Sequence, residues 1–118
     1  QTRAWTRRFV PLNNGKYPSM DHAGVYSVVL HYLKAVEAAK TDDGTKVIAK
    51  MKELATDDPL FGKGSVRADG RKLHPAYLFE VKKPSESKYA YDYYKLRATI
   101  PAEQAFRPLA DGGCPLVK

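Results

Sequence analysis

The sequence predicts an α/β fold in which helices are followed by short, largely antiparallel strands. Three observations support this order. Apolar residues recur at helical spacing up to Leu54, the period changes to two after Asp57-Asp58-Pro59, and an Asp-Gly pair separates two of the alternating segments. A chain of 118 residues is long enough for one domain and too short for two.

The first predicted element is the end of a helix that covers Thr2 to Val10. Its two large aromatic residues, Trp5 and Phe9, lie four positions apart and therefore on one face. The cluster from Pro11 to Gly15 predicts a turn after this helix. A chain that begins within a helix is expected to be a segment of a longer protein.

The second predicted helix is apolar around most of its circumference. It begins at a cap formed by Ser19 or Asp21 and runs to about Lys40. A helix with this pattern is usually buried on most sides, so we expect it to pack against a sheet and a neighbouring helix. Two adjacent stripes carry the apolar residues, Tyr26, Val29, Leu30, Leu33 and Val36 in one and Val25, Val28, Tyr32, Ala35 and Ala39 in the other, and a narrow strip holds Ser27, His31, Lys34 and Ala38.

The third predicted helix begins after Asp42-Asp43-Gly44, where acidic groups favour the positive end of the helix dipole. Its residues separate into an apolar face and a charged face, so an amphipathic surface helix is expected. The apolar face holds Val47, Ile48, Met51 and Leu54, and the charged face holds Lys46, Lys50 and Glu53.

The second half of the chain predicts three strands, over Ser65–Arg67, Lys72–Lys83 and Tyr89–Ile100. The first two flank Ala68–Arg71, whose Asp-Gly pair is typical of a hairpin turn. We interpret Asp57-Asp58, which precedes a proline, as a loop or a cap. The prolines and glycines after the third strand predict an irregular tail.

The chemistry-bearing residues form no catalytic or metal-binding pattern. His22, His31 and His74 lack the spacing of metal ligands, and the single Cys114 cannot close a disulfide within the chain or build a metal site alone. The sequence contains no nucleophile motif and no phosphate loop. It therefore predicts that the chain is not an enzyme and needs no metal or cofactor.

The net charge of +7 comes from 20 basic and 13 acidic residues. The basic residues are scattered, and we interpret them as a soluble surface without a nucleic-acid partner. A small basic nucleic-acid-binding domain is an alternative, because the tyrosines of Tyr89–Tyr94 have Lys88, Lys95 and Arg97 as neighbours and could stack on bases. Packing within a sheet is the favoured interpretation of these tyrosines.

One candidate binding site lies at the start of the second predicted helix. A helix N-terminus offers free N–H donors and a partial positive charge, which together can bind a carboxylate. Met20 and Tyr26 add apolar and aromatic surface, Asp21 adds an acceptor and His22 adds a donor. The residues alone favour a simpler interpretation, in which Asp21 caps the helix and His22 is exposed.

Several stretches of the chain, in order and at natural spacing, resemble the C-terminal third of the periplasmic solute-binding proteins of ABC transporters. The subfamily is the branched-chain amino acid type, whose relatives also take aromatic acids. The stretches are Pro18–Val36, Val66–His74 with Tyr77–Lys82, Tyr91–Lys95, Thr99–Pro101 and Gly113–Val117. Together they cover nearly the whole chain.

This resemblance implies part of the type I periplasmic-binding fold, in which two α/β lobes joined by three crossing strands enclose a solute. Residues 1–64 would form the helical part of the first lobe, and residues 65–118 the last crossing and the C-terminal strands of the second. Met20, Asp21, His22 and Tyr26 would border the cleft. The implied partners are a small carboxylate solute, such as an amino acid or an aromatic acid, and a membrane permease, and the implied location is the periplasm.

Members of this family are much longer than this chain, so the resemblance also implies an incomplete fold. An isolated segment would expose the apolar helix from Ala23 to Ala39, and such a patch drives association. We therefore expect a homo-oligomer, with elements exchanged between copies, and impaired solute binding. An alternative within the same fold is a ligand-sensing domain of a regulator or receptor.

Overall fold

The computed structural model describes residues 1–115 and 117, and within them the order of helices and strands matches the predicted α/β class. The predicted closing stretch includes Leu116, which lies outside the described residues. The helices are α1 (Thr2–Leu12), α2 (Met20–Ala39), α3 (Gly44–Glu53) and α4 (Ala102–Ala105), and the strands are β1 (Thr56–Asp58), β2 (Gly62–Val66), β3 (Lys72–Leu73), β4 (Ala76–Val81) and β5 (Tyr94–Ile100).

Helix α1 extends two residues beyond its predicted end and includes Pro11 in its last turn. It stops because Asn14 and Gly15 adopt left-handed backbone angles, with φ of 50° and 77°. The Gly15 N–H donates to the Val10 carbonyl at 3.0 Å, which satisfies one of the free carbonyls at the helix end.

Helix α2 packs mainly through the narrow polar strip beside its apolar stripes, so the prediction that it is buried on most sides is wrong for the described residues. Ser27, His31 and Ala35 are its buried residues. Six of the ten stripe residues, including Val25 and Val28, are between 37% and 62% exposed, so most of both stripes faces outward. Ala35, from the second stripe, is the exception and is fully buried. The reason is that α3 and β1 offer polar partners to the strip, whereas α1 covers the stripes only in part, where Trp5 meets Tyr26.

The core that α2 forms with α3 is small. Ala35, Val47 and Met51 are buried together, and Val36 and Leu54 pack around them. His31 Nε2–H donates to the Met51 carbonyl at 2.8 Å, which ties the two helices at the same point. Ile48, expected on this apolar face, is 52% exposed instead.

The strands form two separate antiparallel sheets. The first has the order β1–β2–β3, and the second pairs β4 with β5. Strand β1 contains Asp57-Asp58, which we predicted as a loop or cap, and the predicted strand over 72–83 is interrupted at His74-Pro75, where proline offers no N–H to the ladder. The predicted hairpin turn is confirmed, since the Arg67 N–H donates to the Arg71 carbonyl at 2.9 Å across it.

The third predicted strand begins at Tyr94 rather than at Tyr89. The residues before it form a loop because Tyr91 has a left-handed φ of 67° and the buried Asp92 side chain binds the backbone N–H of Lys88. The tail after Ile100 holds the four-residue α4 and a short 3-10 turn, so it is only partly irregular. No helix in the described part of the chain is long and apolar enough to cross a membrane.

Gly64 sits where β2 approaches its neighbours too closely for any side chain. A Cβ atom there would clash with the Leu73 carbonyl oxygen and would lie 2.9 Å from Thr56 Oγ1. We therefore expect Gly64→Ala to lower the free energy of unfolding by about 2 kcal/mol or more, as overpacking does in other proteins. Urea denaturation followed by circular dichroism measures the change, and Gly44→Ala, at an open helical position, is the control. Equal stability of the two variants would contradict the close approach.

Candidate functional site

An open groove of about 840 Å³ runs between α1 and α2 and is lined mostly by apolar side chains. Trp5, which is 6% exposed, forms its floor. Its ring stacks on Phe9 at 5.1 Å between centroids, which confirms that the two residues lie on one face of α1, and meets Tyr26 edge-on at 5.4 Å. We call this the α1/α2 groove, and its lining residues are Trp5, Arg8, Phe9, Leu12, Asp21, His22, Val25, Tyr26, Val29, Leu30 and Leu33.

One end of the groove is formed by the first turn of α2, which Ser19 caps. Ser19 Oγ accepts a hydrogen bond from the Asp21 N–H at 3.2 Å, and the Ser19 N–H donates to His22 Nδ1 at 3.1 Å. Because Nδ1 is an acceptor, the neutral His22 ring carries its proton on Nε2. The ring also packs edge-on against Phe9, with centroids 5.0 Å apart.

Three of the four predicted site residues lie together in the α1/α2 groove: Asp21, His22 and Tyr26. Met20 is 83% exposed and is not part of the groove lining. Ser19, rather than Asp21, is the N-cap, so the Asp21 carboxylate is at the groove surface. His22 is exposed, as expected from the residues alone, but its Nδ1 also takes part in the cap.

Arg8 is a groove residue that the sequence analysis missed. It follows Trp5 by three positions and precedes Leu12 by four, so it lies on the same face of α1 as the aromatic pair. This spacing could have identified it. With Arg8 on α1 and Asp21 on α2, the groove offers one positive and one negative group around an apolar floor. Such a surface suits a ligand with an apolar body and charged ends.

A buried polar cluster fixes α2 against the first sheet. Asp58 Oδ2 accepts hydrogen bonds from Ser27 Oγ and Lys72 Nζ, each at 2.7 Å, and Asp58 Oδ1 accepts from the N–H groups of Leu60 and Phe61 at 2.9 and 2.8 Å. Burial alone would raise the pKa of the Asp58 carboxyl, but the hydrogen bonds from Lys72, Phe61, Ser27 and Leu60 outweigh it and lower this pKa to about 2. The carboxylate therefore stays charged and bound at neutral pH.

The described residues offer no metal site. Across residues 1–115 and 117, no three His, Cys, Asp or Glu side chains converge closely enough to hold an ion. Cys114 is a half-buried free thiol. The α1/α2 groove itself is lined by aromatic, apolar and charged side chains.

Comparison with known proteins identifies the family of this chain. A family model described as periplasmic binding protein matches residues 1–88. This chain belongs to the periplasmic binding protein family. The resemblance seen in the sequence and the predicted partial fold are thereby confirmed.

Two solved structures are similar to this periplasmic binding protein chain. One is a periplasmic binding protein from Burkholderia mallei, with 48% identity and a TM-score of 0.91 over 98% of this chain and 30% of that one. The other is a branched-chain amino acid ABC transporter periplasmic ligand-binding protein from Burkholderia xenovorans LB400, with 43% identity and a TM-score of 0.90 over 99% of this chain and 31% of that one. No curated protein matches the chain.

The chain thus spans about 30% of the length of these relatives. At the level of the family, it groups with solute-binding proteins of the periplasm rather than with enzymes. Neither the family model nor the two solved relatives favours the nucleic-acid alternative.

Proposed function

We propose that this chain forms part of the solute-binding component of an ABC uptake transporter, and that the α1/α2 groove is one wall of its solute site. The observation that carries the proposal is the meeting of Asp21, His22 and Tyr26 with an apolar floor at the start of α2. The solute is a small carboxylate, such as an amino acid or an aromatic acid. The description of one relative as a branched-chain amino acid ligand-binding protein supports this class.

Each group in the groove has a role in this proposal. The Arg8 guanidinium, together with the positive end of α2, attracts the solute carboxylate, and the Asp21 carboxylate accepts from an amino group. Trp5 and Tyr26 provide apolar and aromatic surface for the body of the solute. Met20, exposed at the rim, is available to a second lobe that closes over the groove.

The remaining features of the proposal concern the longer protein. Residues 1–64 belong to its first lobe, and residues 65–118 contribute the last crossing and the C-terminal strands of the second lobe. Closure of the lobes traps the solute in the periplasm, and the closed protein delivers it to a membrane permease. The chain alone forms one wall of the cleft, and we expect it to bind solute at least about a hundredfold more weakly than the two-lobed protein.

Substitutions at Asp21 and His22 test the site in the two-lobed protein. We expect Asp21→Ala and His22→Gln each to raise the dissociation constant for the best solute at least about tenfold. The first removes the acceptor for the amino group of the solute, and the second replaces the imidazole Nε2–H, the proposed donor of His22 to the solute, with an amide of different shape and position. Isothermal titration calorimetry with leucine, valine, phenylalanine and benzoate identifies that solute and measures the change.

Two features of this design separate binding from folding. Glutamine at position 22 keeps an acceptor for the Ser19 N–H, as the usual capping box does, so the start of α2 is preserved. Asp42→Ala removes an exposed acidic group outside the groove and is the matched control for Asp21→Ala. Unchanged affinity in both Asp21→Ala and His22→Gln would remove this end of the groove from the solute site.

A further inference from the structure

A second pocket, of about 420 Å³, lies on a different face of α1 from the α1/α2 groove. Helix α1 contributes two arginines and a threonine to it, and the segments before α2 and β5 contribute three tyrosines. We call it the Arg-Tyr pocket, and its lining includes Arg3, Thr6, Arg7, Tyr17, Tyr89 and Tyr91. None of these side chains takes part in the site proposed above.

The loop that carries Tyr89 and Tyr91 is held in an unusual conformation. Tyr91 has φ of 67°, a left-handed angle that non-glycine residues rarely adopt. The conformation is fixed by Asp92, whose two carboxylate oxygens each accept from Lys82 Nζ at 2.9 Å. Strain of this kind is concentrated at ligand sites, where surrounding contacts over-determine the backbone. Its result here is that the Tyr91 ring lies on the Tyr17 ring, with centroids 4.2 Å apart.

The charge in the pocket is of one sign. Arg3 and Arg7 lie four positions apart on α1, so their like charges are close and repel each other. Among the described residues no carboxylate lies within ion-pair distance of either guanidinium, and the pocket lining contains no acidic residue. The Arg3 guanidinium lies over the Tyr89 ring at 5.2 Å from its centroid. The pocket therefore attracts an anion.

We propose that the Arg-Tyr pocket is a second binding site, which takes an anion that carries a planar ring. The guanidinium groups of Arg3 and Arg7 bind the anionic group, for which their planar donors are suited. The faces of Tyr89 and Tyr91 stack on the ring. The volume is within the range of small-molecule sites. A carboxylate and a phosphate satisfy the same donors, so the anionic group can be either.

The test uses the 118-residue chain with benzoate and phenyl phosphate as probes. We expect saturable binding of one or both, at least about tenfold tighter than binding of acetate, because acetate lacks the ring. Nuclear magnetic resonance reports the location, with shifts in the amide of Thr6 and the rings of Tyr17 and Tyr91. Arg7→Ala is expected to weaken binding at least about tenfold, and Arg7→Lys to restore part of it. Lys46→Ala, which removes one positive charge from α3, is the matched control and is expected to bind as the unmodified chain does.

Tyr91→Gly tests whether the Tyr91 ring is needed for binding without disturbing the backbone at this position. Glycine adopts the left-handed angle at position 91 without strain, so this variant is expected to fold and to lose binding of the probes. The proposal is overturned if neither probe saturates below about 10 mM, or if Arg7→Ala and Lys46→Ala weaken binding equally. It is also overturned if the shifts occur at His22 and Tyr26, since the probes would then occupy the α1/α2 groove.

Discussion

Replacing Asp58 with alanine is expected to lower the free energy of unfolding by about 3 kcal/mol, because removal of one member of a buried ion pair leaves the other charge uncompensated. The side chain of Asp58 is 4% exposed and that of Lys72 25% exposed. Without the carboxylate, Lys72 Nζ, Ser27 Oγ and the N–H groups of Leu60 and Phe61 all lose an acceptor. Urea denaturation monitored by circular dichroism at neutral pH measures the loss.

The stability of Asp58→Ala is also expected to depend on pH differently from that of the unmodified chain. Because the pKa of Asp58 falls from an ordinary 3.8 to about 2 on folding, its stabilising contribution is fully present above about pH 5 and is lost as the pH falls through 2. Protonation over this range removes about 2 kcal/mol from the unmodified chain. Asp58→Ala cannot lose this contribution, so its stability is expected to decline less steeply between pH 5 and pH 2.

Asp57→Ala is the matched control. Asp57 is the neighbouring aspartate in β1, but it is exposed, and the hydrogen bond that Lys34 Nζ makes to residue 57 is to its backbone carbonyl. We expect Asp57→Ala to change the free energy of unfolding by no more than about 0.5 kcal/mol. Equal effects of the two substitutions, or parallel pH curves for Asp58→Ala and the unmodified chain, would show that the buried cluster contributes little to stability.

The chain on its own is expected to associate through the exposed stripes of α2. Val25 and Val28 are 62% and 53% exposed, and Tyr32, on the same stripe, is 41% exposed. Burial of such a stripe against a second copy removes apolar surface from water and favours a dimer or a higher oligomer. Val28→Glu places a charge in this contact, and we expect it to raise the dissociation constant at least about tenfold. Sedimentation equilibrium of the 118-residue chain measures both values.

Val81→Glu makes the same chemical change on β4, at a residue that is 70% exposed. If the α2 stripe is the contact, this control is expected to leave the dissociation constant unchanged within about twofold. A monomeric unmodified chain would contradict the prediction of association. If Val81→Glu raised the dissociation constant and Val28→Glu did not, the contact would lie on the second sheet instead.

Much of the local structure could be predicted from the sequence, because helices and hairpins depend on residues that are near one another in the chain. The apolar spacing around Trp5 and Phe9, the cap at Ser19 and the Asp-Gly turn before Arg71 each identified an element that the structure contains. The start of the third strand was predicted too early, because the Asp92 side chain binds a backbone N–H in the loop before β5. Asp57-Asp58 was predicted as a loop or cap because acidic residues before a proline are typical of turns, but both residues belong to β1.

Periodicity by itself predicted the α/β class and the three main helices, and the resemblance of several stretches predicted the family. Three of the four predicted site residues lie in the groove. The tertiary structure decided which face of α2 is buried. Either apolar stripe or the polar strip could pack against the rest of the protein, and only the folded chain brings Asp58 to the strip. Ser27 and Asp58 are 31 positions apart, and Asp58 and Lys72 are 14 apart. Contacts over such separations depend on the path of the whole chain, and the same is true of Arg8 in the groove and of the pairing of Arg3 with Tyr89.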